Sequence, residues 1–334
     1  MNGALSRRGF LRQSFAFSAL AGLGSLPSLA KPHGQSEGLQ WLMVGDWGYE
    51  NFAAQKTVAA AMQAYVREHR LKPDALLMLG DNWYGELPGG VDSPRWKTQF
   101  EDMYPKADFD CPAYAVLGNH DYQRMPESKV DAELAYAKKG GTRWTMPSRW
   151  YSFEFPAAQP LVTVIALDSN MPHPKGPQAS GVNFTLTPEE QAEQLRWLKA
   201  ELEKPRHTPY LIVIAHHPIY SNGPHGDHKV LLADWEPLLR QHKAHLYFAG
   251  HDHDMQHLEF EGHPTSFVLS GGGGADLYTL KIEEAQRGPY AAKVYGFSHL
   301  QIAPDKLTLL HLDQTGRVIH GFTKTPDGVV KLLS

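Results

Sequence analysis

The sequence predicts an α/β fold, and three observations predict it. Short apolar runs rich in Val, Ile and Leu recur along the chain, helical patterns separate several of them, and five runs are followed within a few residues by Asp, Asn or His. Runs of that length and composition read as buried strands. Their alternation with helices marks an α/β core. Polar residues just past the strands fall where open α/β sheets bind ligands, beyond the carboxyl ends.

In chain order, the first strand is expected at Leu39 to Val44. Alanine-rich Ala53 to His69 follows as a helix with Val58, Met62 and Val66 on one side. Further strands are expected at Ala75 to Leu79, Ala113 to Leu117 and Leu161 to Leu167. Ser169 to Leu186, rich in Pro, Gly and Asn, reads as an exposed loop near the site. Thr187-Pro188-Glu189-Glu190 is a capping box with proline at the first helical position, and it leads into a face of Leu195, Leu198 and Leu202. Strands follow at Tyr210 to Ala215, His245 to Ala249 and Ser266 to Leu269. After Gly271 the helical patterns stop. Lys293 to Ile302, Lys306 to Leu312 and Val318 to Thr323 are expected to add antiparallel strands to the same core. With no internal repeat and no low-complexity linker, a single domain over residues 31–334 is expected.

Residues 1–30 read as an export leader. Ser6-Arg7-Arg8-Gly9-Phe10-Leu11 is a twin-arginine pattern, followed by the apolar stretch Phe15 to Leu26 and a small-residue cleavage site at Ser28-Leu29-Ala30. That stretch is short and broken by Gly22, Gly24 and Pro27, whereas a membrane span needs about 20 apolar residues, so no stable anchor is expected. The implied partner is the twin-arginine export machinery and the implied address is periplasmic or secreted. Removing the leader takes the formal net charge from −4 to about −7, and no basic stripe remains, which excludes nucleic acid as a bulk partner. The single cysteine, Cys111, excludes an internal disulfide.

Five segments carry the chemistry: Gly45-Asp46-Trp47-Gly48, Gly80-Asp81-Asn82-Trp83-Tyr84, Gly118-Asn119-His120-Asp121, Val213-Ile214-Ala215-His216 and Gly250-His251-Asp252-His253. Each sets hard oxygen or imidazole donors at the end of a strand, and glycine before the donor allows a sharp turn. A lone Asp in a turn, or one of 18 histidines, is ordinarily just solvated; five such coincidences are not. His216 and His217 are both available as the donor of the fourth segment, and the Val-x-x-His spacing favours His216. Asp168, after the fourth strand, departs from the series and reads as structural. His257, Asp252, Asp254 and His228 are neighbours that either support the site or face solvent. The run Gly271 to Gly274 lacks the lysine and Ser/Thr of a phosphate loop and reads as a tight turn.

The set resembles the purple acid phosphatases within the calcineurin-like metallophosphoesterases, especially the small tartrate-resistant acid phosphatases, from about Leu39 to about Leu312 and including Arg143-Trp144 and Pro147-Ser148. Gly48 and Tyr84 stand at the positions that distinguish that group from the wider superfamily. The resemblance implies a four-layer αββα sandwich and a dinuclear metal centre. By it, Asp46, Asp81, Tyr84 and His253 would hold Fe(III), while Asp81, Asn119, His216 and His251 would hold a divalent Fe, Zn or Mn ion. Tyr84 would then be a phenolate ligand and Asp81 the bridge.

Two cations so placed would orient a phosphate ester and lower the pKa of a bound water until hydroxide forms well below neutral pH. The substrates implied are phosphomonoesters. His120 is expected to bind the phosphoryl group, with Asp121 orienting its imidazole and raising its pKa, and His225 to protonate the leaving group. A phosphodiesterase with the same metals, and an exported iron-binding or redox protein, are the alternatives.

Overall fold

Alternating inward and outward residues build this fold in layers. The computed structural model describes residues 38–123, 128–172, 185–282 and 287–333; the expected leader at 1–30 and residues 173–184 of the expected loop lie outside the described residues. The chain runs through β1 (Leu39–Val44), α1 (Ala53–His69), β2 (Ala75–Met78), β3 (Ala113–Ala115), α2 (Lys129–Lys138), β4 (Trp144–Thr145), β5 (Tyr151–Phe155) and β6 (Val162–Ala166). It continues through α3 (Pro188–Glu203), β7 (Tyr210–Ile214), α4 (Lys229–Asp234), α5 (Glu236–Gln241), β8 (Leu246–Ala249), β9 (Met255–Leu258) and β10 (Ser266–Ser270). The last strands are β11 (Tyr290–Ala292), β12 (Gly296–Ile302), β13 (Leu307–Asp313), β14 (Val318–Lys324) and β15 (Val330–Leu332).

Two sheets result. One has the order β15-β14-β13-β12-β1-β2-β3-β4 and the other β11-β9-β10-β8-β7-β6-β5. In the first, β1, β2 and β3 are parallel, while β12 closes antiparallel on β1 with Met43 opposite Ser298. In the second, β6, β7, β8 and β10 are parallel.

The layer order follows from the period of two along each strand. On β7, Tyr210, Ile212 and Ile214 join the cluster between the sheets, whereas Leu211 and Val213 join a second cluster under Leu198 and Leu202 of α3, Leu231 of α4 and Leu239 of α5. On β12, Ser298 reaches Ser270 of the other sheet at 2.9 Å, while Phe297 and His299 turn the other way against Tyr65 of α1. Trp41 of β1 meets Phe155 of β5 edge-on at 5.6 Å, and Tyr114 of β3 stacks on Phe153 at 3.9 Å, so the sheets pack face to face. Helices therefore cover both outer faces, giving αββα.

The capping box of α3 is formed as expected, with the Thr187 hydroxyl accepting from Glu190 N–H and the Glu190 carboxylate accepting from Thr187 N–H. Cys111 is free and buried, and burial pushes its thiol up to about 12. Among the described residues no helix is long and apolar enough to cross a membrane.

Candidate metal centre

The turns after β1 and β2 are laced together before any side chain is considered. Asp46 N–H donates to Gly80 O at 3.0 Å, Gly48 N–H to Asp81 O at 3.3 Å, and Tyr84 N–H to Gly48 O at 3.0 Å. The approach is so close that a Cβ on Gly48 would lie 1.7 Å from Asn82 O, so only glycine fits there. Arg95 ties the same two turns, donating to Tyr84 O at 2.7 Å and Gly48 O at 2.8 Å. Asp46, Asp81 and His251 have φ of 58°, 51° and 69°, left-handed values that L-residues hold only where surroundings over-determine them.

These turns bring the predicted donors together. One ligand atom each from Asp46, Asp81 and His253 fall within 4.8 Å of one another, all three residues buried. The Tyr84 hydroxyl lies 3.3 Å from Asp46 Oδ1 and 3.0 Å from His253 Nε2. On the other side of Asp81, His216 Nε2 is 3.4 Å from Asp81 Oδ1 and 3.2 Å from Asn119 Oδ1, and His251 Nδ1 is 2.9 Å from the same Asn119 oxygen. All seven predicted ligand residues thus meet in two groups that share Asp81. Of the adjacent pair, His216 turns to the carboxylates while His217 Nδ1 goes to Ser169 Oγ at 2.8 Å.

The donors fit cations. His216 Nδ1 pairs with Leu79 O at 2.9 Å and His253 Nδ1 with Asp276 O at 2.7 Å, which leaves Nε2 of each ring facing the carboxylates, the arrangement that orients metal-binding imidazoles. Burial pushes the Asp46 carboxyl well above the usual range, eased by His216 and worsened by Asp81. Burial also acts to raise Asp81, but His216 and His120 outweigh it and hold Asp81 low. His216 is correspondingly raised to about 10, burial being outweighed by Asp81 and Asp46. His251 is pushed well below its ordinary value by burial and by four neighbouring imidazoles, so it is a neutral donor. Burial, Asp81 and Asp46 raise Tyr84 far above the ordinary phenol, and a phenolate there calls for a cation at the oxygen. Oxygen and imidazole donors without sulfur suit hard and borderline ions.

Asp121 does not do what the sequence suggests. Its carboxylate accepts from the backbone N–H of Gly118 at 2.8 Å, Asn82 at 3.1 Å and Trp83 at 2.8 Å, and no hydrogen bond joins it to the His120 ring among the described residues. It clamps the second and third segments to each other. His120 is accordingly not raised; burial lowers it against the pull of Asp81, and its ring stacks on Tyr84 at 4.0 Å. Burial and Asp81 push Asp121 up to about 6.

The carboxylate that orients an imidazole is Asp252. It is fully buried, and its Oδ1 lies 2.6 Å from His225 Nδ1 while Oδ2 accepts from Ser221 Oγ. Of the remaining neighbours, Asp254 accepts from the Gln256 amide, His228 caps α4 through Leu231 N–H, and His257 pairs with His320 and Glu259. Asp168 is structural, held by Tyr122 and by both ends of the Gln194 amide. Gly273 packs where a Cβ would meet Gly45 O at 2.2 Å, which accounts for the glycine run. Sequence reasoning missed Lys129 of α2, which is buried and donates to Trp83 O at 2.8 Å and Gly85 O at 2.7 Å on either side of Tyr84.

Residues 40–255 match the family described as calcineurin-like phosphoesterase. Tartrate-resistant acid phosphatase type 5 of Mus musculus is 29% identical, covering 87% of this chain and 92% of its own. Purple acid phosphatase 7 of Arabidopsis thaliana is 30% identical, covering 93% of each. Among solved structures, GAP50, the anchor in the inner membrane complex of Plasmodium, superposes with a TM-score of 0.69 over 85% of this chain and 88% of its own; at 22% identity that likeness speaks for the fold alone.

Proposed function

Because this chain belongs to the calcineurin-like phosphoesterase family, and within it to the purple acid phosphatases, we propose that it is an exported acid phosphatase hydrolysing phosphomonoesters at a two-metal centre. The observation that carries the reading is the meeting of two donor groups on one shared carboxylate, Asp81. Asp46, Asp81, Tyr84 and His253 would hold Fe(III), and Asp81, Asn119, His216 and His251 a divalent Fe, Zn or Mn ion. When bound, the pair would neutralise charge on the phosphoryl oxygens and make a water acidic enough to serve as nucleophile.

The chain's own residues supply the rest. Asp252 Oδ1 lies 2.6 Å from His225 Nδ1 and would hold the N–H there, so that the second proton of the imidazolium stands at Nε2, from which it would pass to the departing alkoxide. His120, beside Asn119 and stacked on Tyr84, would steady the phosphoryl group. Residues 1–30 would direct the folded chain through the twin-arginine machinery to the periplasm or beyond, and residues 31–334 would be the working single domain.

The test is to purify the protein from Lys31 onward and measure metal content, visible spectrum and turnover of aryl and bis-aryl phosphates across pH. About two metals per chain, aryl phosphate turnover in acid, and a phenolate-to-iron absorption band lost in Tyr84→Phe are expected. Preference for the bis-aryl ester would make it a phosphodiesterase. Metal without hydrolysis at any pH would leave an iron-binding or redox protein instead.

A further inference from the structure

Tyr278, beside the candidate ligand His253, is accounted for neither by the ligand series nor by the proton donor. It follows the glycine run on a segment pinned to the turns that carry Asp46 and His253: Ala275 N–H donates to Asp46 O at 2.9 Å, Tyr278 N–H to His253 O at 3.1 Å, and His253 Nδ1 pairs with Asp276 O at 2.7 Å. Three such bonds fix where the side chain starts. The ring stacks on His253 at 4.0 Å with 13° between planes, and meets His225 edge-on at 5.4 Å. It stands between a candidate metal ligand and the candidate proton donor. It is half-buried, and its hydroxyl has no protein hydrogen-bond partner among the described residues.

We propose that Tyr278 sets substrate preference: its ring is the wall on which the organic part of the ester packs, so the site favours flat aromatic groups over short alkyl ones. Stacked and edge-on aromatic contacts give such a wall more than its buried area alone would. Pocket contacts of this size discriminate by about 10- to 200-fold. The inference rests on the site binding phosphoryl compounds, as proposed above, and the test separates binding from turnover.

Metal-loaded wild type, Tyr278→Phe and Tyr278→Ala would be titrated calorimetrically with phenylphosphonate and methylphosphonate, with metal content measured on each sample. Wild type and Tyr278→Phe are expected to bind the phenyl compound at least tenfold more tightly than the methyl one. Tyr278→Ala is expected to lose that preference through weaker phenylphosphonate binding, with methylphosphonate affinity changed less than threefold. No preference in wild type, or an undiminished one in Tyr278→Ala, overturns the proposal. If Tyr278→Ala sheds metal, Tyr278→Leu replaces it, and loss of metal in both assigns the ring to holding His253 and overturns the proposal too. Phenyl phosphate turnover in the same samples reads the hydrolase assignment separately: the preference without turnover keeps Tyr278 and sinks the phosphatase.

Discussion

Asp252 stands between His251 and His253 in the sequence, yet its carboxylate goes to His225 and Ser221. An imidazole held this way keeps one tautomer, and the carboxylate is a positioning residue. Asp252→Asn removes the anionic acceptor at nearly constant shape, and turnover of aryl phosphate is expected to fall by about 10²-fold with metal content unchanged. His225→Ala is expected to fall as far, and the double variant no further, because the two act as a unit. A double variant that multiplies the two losses would break the pairing. The candidate ligands were legible as a set because each follows an apolar strand, and the structure brings the same residues together. Asp121 was not, because the backbone N–H groups that receive its carboxylate leave no mark in a sequence.

At the scale of elements, α1 and α3 were readable and α2 was not, for one physical reason. Helix reading looks for an apolar inward face, and α1 and α3 supply one, whereas α2 turns Lys129 and Glu133 inward and buries both. That helix is built for the turn carrying Tyr84. Lys129→Met would leave the Trp83 and Gly85 carbonyls without the ammonium that donates to them, costing about 2–4 kcal/mol in urea unfolding, with weaker metal retention. A change within about 0.5 kcal/mol would show that the buried charge matters little. On α3, by contrast, Thr187→Ala removes only a cap. It should cost about 1 kcal/mol, lower Tm by about 2–4 °C and leave turnover alone. Lost turnover would mean that α3 reaches the site, through the link from Gln194 to Asp168. β4, β5, β9, β11 and β15 escaped notice: β4, β11 and β15 are two or three residues long with no long apolar run around them, and β5 and β9 carry Ser, Glu, Gln or His in place of a continuous apolar run.

For the whole molecule, the long apolar strand runs were visible but their division between two sheets was not, since β12 pairs with β1 across most of the chain and only tertiary packing selects that partner. The same packing buries His299 of β12 under α1, with Nδ1 at 3.0 Å from the Tyr65 hydroxyl and Nε2 at 2.8 Å from Gln40 Oε1. Both contacts suit a neutral ring, and burial, helped by His69, lowers its pKa from 6.5 to about 4. The unfolded chain therefore takes up the proton first as pH falls. Stability from this group is intact above about 6.5 and is lost between 6.5 and 4, by about 3 kcal/mol at most. An acid phosphatase would thus be working on the descending side of its own stability curve. Urea unfolding at pH 7 and pH 4.5 is expected to show the loss in wild type. His299→Gln, which can donate to Gln40 and accept from Tyr65 without titrating, is expected to remove about 2–3 kcal/mol of that difference. Equal pH dependence in the two proteins would mean that the acid sensitivity comes from elsewhere in the fold.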